Sequence, residues 1–199
     1  ITALLVAIAI TGISKLTVEN RFIDYFKTST EIYKGMEILD TQLGGTSPLD
    51  IILEAPISFS NEEQEEEFDD FSFEDSSSNG YWWNTISINR LEGVHDYLNE
   101  LPEIGKVLSV ASGIKVAEEL NDGEPLSELD LALVKNMLPE DIKETLLSSY
   151  ISEDENQVRI SARVLESTKG LNRNELLENI STALEDKFNF KEDEYRLTG

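Results

Sequence analysis

From Gln157 to Ser167 the sequence QVRISARVLES alternates apolar and polar residues. Val158, Ile160, Ala162 and Val164 face one way, and Arg159, Ser161 and Arg163 face the other. A period of two is the mark of a strand with one covered and one open face. Residues 49–55 (LDIILEA), opened by Pro48 and ended by Pro56, are predominantly apolar and suit a more deeply buried strand. The short β-rich stretches at residues 106–110 and 194–197 are the remaining predicted strands.

Elsewhere the apolar positions recur every three or four residues. Ile32, Met36, Leu39 and Leu43 form one helical face, with Thr28 and Glu31 at capping-box spacing before it and Gly44-Gly45 after it. Leu91, Val94, Leu98 and Leu101 predict a helix over residues 85–101, closed by Pro102. Leu176, Leu177, Ile180, Ala183, Leu184 and Phe188 predict another over 174–188, capped by Asn172 or Asn174. Between residues 112 and 152 lie short helical patterns, SGIKVAEEL, LSELDLALVKNML and PEDIKETLLSSYI. Asn121-Asp122-Gly123 and Pro139 separate them, and Ser127 stands where it can cap the second.

The order is strand-helix-strand twice over. That predicts an α+β fold, a split βαβ-βαβ unit with a four-stranded antiparallel sheet and two helices on one face. The unit occupies residues 48–199, with an acidic insertion at 57–84 and a helical insertion at 112–152. Residues 17–47 then form a connector carrying the first amphipathic helix. The uncharged run ITALLVAIAITGI at residues 1–13 would make about 20 Å of helix, against a hydrocarbon core of ~30 Å. It reads as the outer end of a truncated transmembrane helix covering residues 1–16. A signal-peptide core without its basic start, or a buried helix, are the alternatives.

Charge narrows the function. The 199 residues carry 40 acidic and 16 basic side chains, a formal net charge of −24. Such a surface repels nucleic-acid phosphates, so nucleic-acid binding is not expected. With no cysteine and a single histidine, His95, there is neither a disulfide frame nor a thiolate or multi-histidine metal site. His95 beside an apolar helix face reads as a packed residue. The acidic run at 58–79, interrupted by Phe68, Phe71 and Phe73, reads as a solvated loop. A divalent-cation site there lacks the ligand alternation of a calcium loop. A docking segment anchored by the phenylalanines is the other sharp alternative. Arg159 and Arg163 are expected to pair with carboxylates rather than to bind an external anion. Tyr81, Trp82 and Trp83 are candidate substrate contacts, although adjacent tryptophans more often pack into a core. There is no P-loop, nucleophile elbow or dinucleotide glycine pattern, so no enzyme activity, catalytic residue, cofactor or metal is expected.

Several segments in this order resemble one family. They are the apolar start, ENRFIDYF, STEIYKGMEILDTQLGGTSPLDIIL, LNELPEIGKVLSV, LNRNELLENI and the terminal YRLTG. Together they are similar to the second extracytoplasmic loop of resistance-nodulation-cell division (RND) transporters, in the MMPL or hopanoid/lipid-exporter-like branch. The resemblance covers the chain except roughly residues 58–83. It implies a ferredoxin-like porter domain on the periplasmic side of the cytoplasmic (inner) membrane, handing on lipids or other amphiphiles. Proton coupling in that family uses acidic residues of transmembrane helices, so no coupling residue transfers to this chain. The implied partners are the remaining transmembrane and porter domains, an amphiphilic substrate, the membrane through the N-terminal helix and, in some assemblies, a second copy. The competing expectation is a membrane-anchored or secreted binding or adaptor module that uses the acidic insertion.

Overall fold

The computed structural model describes residue 2 and residues 25–56, 80–137 and 147–199. In chain order its elements are α1 (Glu31–Gln42), β1 (Ser47–Glu54), α2 (Thr85–Glu100) and β2 (Ile104–Leu108). There follow α3 (Val110–Leu120), α4 (Glu128–Met137), β3 (Gln157–Val164), α5 (Arg173–Asp186) and β4 (Tyr195–Thr198). The sheet order is β2-β3-β1-β4, and every neighbouring pair is antiparallel. This α+β arrangement has the strand order of a ferredoxin-like βαβ fold.

The alternation along β3 builds the core directly. Val158, Ile160, Ala162 and Val164 are buried, and their partners Leu53, Ile51, Leu49 and Ser47 across β1 share the same face. Leu91, Val94 and Leu98 of α2 and Leu176, Ile180 and Leu184 of α5 join them in one apolar cluster. The helices start where side chains can satisfy the first free amides. Asn84 accepts from Ser87 N ahead of α2, and Asn172 accepts from Glu175 N ahead of α5.

Two predicted elements are displaced. The strand expected at 106–110 runs instead over Ile104–Leu108, because Ser109 and Ser112 form a reciprocal cap that commits Val110 to α3. α1 is capped by Thr30, whose side chain accepts from Tyr33 N, and not by Thr28. The apolar stripe that predicts α1 is open in this chain: Ile32, Leu39 and Leu43 are exposed. Asp40 is the buried residue of that helix.

The join between α1 and the sheet depends on close backbone contact. Gly45 has φ +101°, and a Cβ there would lie 2.7 Å from Val164 O. A Cβ on Gly105 would lie 2.5 Å from the Gly44 carbonyl carbon. No larger residue fits either place without moving main chain, and at Gly45 the positive φ adds strain.

Three expectations fall wholly or partly outside the described residues: most of the apolar N-terminal segment, the acidic run within 57–79, and most of the helix predicted over 139–151. Among the described residues no helix is long and apolar enough to cross a membrane.

Candidate ligand pocket

The pairing of β1 with β3 and β4 leaves a space at one end of the sheet, beneath the start of α5. Leu49 and Val164 come from the strands, Leu176 and Leu177 from the helix, and Leu197 from β4. Together they line most of a pocket of about 330 Å³. That lies at the lower end of the range for small-molecule sites, which are mostly apolar with a few placed polar groups. Its charged wall residue is Arg173, the first residue of α5. The guanidinium donates to Ser47 Oγ at 2.5 Å and forms an ion pair with the buried Glu166 carboxylate. The charge is thereby met within the protein. What remains is a surface of nearly equal polar and apolar character, leucine and valine side chains beside the Arg173 edge and the strand ends at Thr198 and Gly199, without an acid or base poised for chemistry.

Tyr81, Trp82 and Trp83 do come together, in a 3-10 turn just before α2. None of them lines the pocket. Trp82 and Trp83 are 1% and 3% exposed, and Tyr81 packs edge-on to Trp82 at 4.9 Å between ring centres. Trp82 Nε1 donates to Asn156 O at 3.3 Å, and Lys135 lies over Trp83 at 5.7 Å. Both indoles are enclosed by protein, so in this chain they offer a ligand almost no surface.

A second group of polar side chains lies between α2 and α3. His95 is buried, with Nδ1 2.9 Å from Ser109 Oγ. Ser109 Oγ also accepts from Ala111 N, which leaves its hydroxyl hydrogen for the ring nitrogen. Burial, and next the nearby Lys115, lower the pKa of His95, with Asp96 opposing. Serine and histidine here are both covered, with no access for a substrate. Glu92 is the unusual neighbour. Its Oε1 is covered and without a hydrogen-bond partner. Burial first, then Glu118 and Asp96, push its pKa up to about 7 despite the counteracting Lys115.

A carboxyl whose folded pKa is raised holds its proton more tightly when folded, so it lowers stability as pH rises from its unfolded value towards the folded one. His95 works the other way below its own unfolded value. The comparison with Glu92→Gln isolates the carboxyl. The variant should gain in melting temperature relative to the natural chain as pH rises from about 4.5 to above 7. A constant difference across that range would show that Glu92 is ordinarily ionised.

Among the described residues no cluster of three or more His, Asp or Glu side chains is placed to hold a metal ion. The pocket itself was only partly visible in the pattern of α5. Leu176 and Leu177 are adjacent, and neighbouring residues on a helix diverge by about 100°. One of them therefore had to look away from the main core, and the structure puts that divergence at the pocket wall. Arg173 carries no comparable signal, since its partner Glu166 is defined only by the turn after β3.

No family model matches the sequence, and no curated protein matches it.

Proposed function

We propose that this chain is an extracytoplasmic porter domain of a proton-driven RND-type exporter that moves lipids or other hydrophobic or amphiphilic compounds. The observation that carries this reading is the leucine-lined pocket of about 330 Å³, whose one guanidinium is already neutralised by Glu166. Such a site suits an amphiphile, the leucines facing its hydrocarbon part and the polar rim its head. The fold agrees with the one implied by the sequence resemblance. So does the exposed apolar stripe of α1, which lies downstream of the uncharged run at residues 1–13. In this reading the domain stands on the outer side of the cytoplasmic membrane, its partners are the transmembrane and other porter domains of the same transporter, and proton coupling resides in those helices.

The test is binding of a fluorescent fatty-acyl probe to the chain. The natural sequence should bind it, and Leu177→Glu, which places a carboxylate in the pocket wall, should weaken binding at least tenfold. Ile86→Glu, at a position 79% exposed and remote from the pocket lining, should leave it unchanged. Absence of binding, or equal binding by both variants, would remove the pocket as the basis for an amphiphile site.

A further inference from the structure

Among the described residues α2 and α5 pack on one face of the sheet, and the strand positions of the other face are half-buried or exposed. On that second face Pro48, Asp50, Ile52 and Glu54 of β1 stand opposite Arg163, Ser161, Arg159 and Gln157 of β3. β4 adds Arg196 and Thr198, and β2 adds Lys106 and Leu108. Lys106, Arg159, Arg163 and Arg196 are all exposed, with Asp50 and Glu54 the carboxylates among them. This is a net-cationic surface on a chain of net charge −24.

Among the described residues the expected pairing of these cations with carboxylates is met at Arg196 alone. Arg196 bonds Glu54 at 2.9 Å, and Arg159 lies over the Tyr150 ring at 6.0 Å. Lys106 and Arg163 are direct cross-strand partners, and neither has a carboxylate partner among the described residues. Like charges directly opposed across a sheet destabilise it. With 40 acidic side chains against 16 basic ones, an acid at either position is the compositionally easier solution. Beside Arg159 the face also holds a hollow of about 210 Å³, bounded by Ile52, Tyr150, Gln157 and the serines at 149 and 152. A greasy floor thus adjoins a row of cations.

We propose that this sheet face docks an acidic peptide segment of a partner protein. An apolar side chain of the segment fills the Ile52–Tyr150 hollow, and its carboxylates meet Arg159, Arg163 and Lys106. Arg159 and Arg163 lie about 13 Å apart along β3 at ~3.3 Å per residue. Carboxylates four residues apart on an extended segment match that spacing. The segment has to be short. An anionic bilayer or a nucleic acid presents charge well beyond the cation rows, where the rest of the chain repels it over a screening length of roughly 8 Å. A segment a few residues long meets only the favourable patch. This interaction goes beyond the exporter reading and does not depend on it.

The experiment is fluorescence anisotropy of the labelled peptide Glu-Ser-Phe-Ser-Glu-Ser-Phe-Ser-Glu, whose carboxylates and phenylalanines share one face when extended, titrated with the full chain. Binding should weaken as salt rises, and the double variant Arg159→Glu/Arg163→Glu should lose at least tenfold. Lys187→Glu, at the exposed end of α5, should lose nothing, and replacing both peptide phenylalanines by serine should weaken binding severalfold. Arg163→Glu turns a like-charge pair into an opposite one, so its melting temperature should hold or rise. Lost binding in that variant is then not lost folding. Equal affinity of the double variant and the Lys187 variant would overturn the proposal. So would binding of phosphatidylglycerol vesicles that the same double variant abolishes, since the face would then read lipid headgroups. Peptide binding that appears only after deletion of residues 58–79 would also overturn it, by making the chain's own acidic run the occupant.

Discussion

Trp82→Ala is expected to lower the free energy of unfolding by about 3–5 kcal/mol, the usual cost of removing a buried indole. Single domains have about 5–15 kcal/mol in all, so the variant should be marginal at 37 °C. The size of the effect follows from where the ring sits. Its N–H bonds Asn156 O, and the same carbonyl accepts from Ala55 N at 2.8 Å. Asn84, the cap of α2, donates to Tyr81 O in the same turn. One side chain therefore ties the exit of β1, the turn before β3 and the start of α2 into a single packed corner. Urea denaturation followed by circular dichroism measures the loss. If the variant kept its stability and lost only ligand binding, the indole would be a substrate contact and its burial incidental.

Asp40→Ala should cost about 3 kcal/mol, through hydrogen bonds to a charged acceptor whose donors are then left without it. Asp40 is 1% exposed; its Oδ2 accepts from Ser167 N at 2.7 Å and its Oδ1 from Thr46 Oγ1 at 2.7 Å. Its own carbonyl accepts from Gly45 N at 2.7 Å. Burial by itself raises the pKa of this carboxyl, but the donated bonds, with Ser167 foremost, outweigh it and hold the group below its ordinary value of 3.8. A depressed folded pKa means stability that is in place above the unfolded value and is lost as pH falls through the folded one. The natural chain should therefore show an acid loss below about pH 4 that Asp40→Ala lacks. Hydrogen exchange supplies a local readout, since the Ser167 amide should lose protection in the variant even where the sheet stays folded. Unchanged protection at Ser167 would show that α1 is held by something other than this carboxylate.

These two residues also mark how far the fold and the site were legible from residues alone. β3 is plain because its alternation is complete over eight positions and one face has to be covered. α2 and α5 are plain because each repeats its apolar stripe and carries an asparagine cap. β2 is misplaced by two residues because β-rich composition continues through Ser109 and Val110, whereas a hydroxyl pair at Ser109 and Ser112 makes a helix start there. The stripe on α1 predicts the helix correctly but does not tell that its apolar face stays exposed. Helical period says which residues share a face, not which face the rest of the chain will cover. Nothing in the spacing of Asp40 announces Ser167, which lies three strands further along the chain. The pocket is hidden for the same reason. Its walls come from three strands and a helix, and only the paired leucines of α5 hint at a second apolar direction.

The strand order has a consequence for how the chain reaches this state. Glu54 ends β1, and its partner Gln157 begins β3, so no pairing made by β1 closes a shorter loop of chain than that one. β4 pairs with β1 across a still longer span. The helices and their caps can form locally and early. The sheet cannot, because the entropy of closing those loops is lost before the long-range contacts offset it. Folding speed is therefore governed by when β1 finds β3, and a nascent chain must hold β1 unpaired until translation has passed Val164.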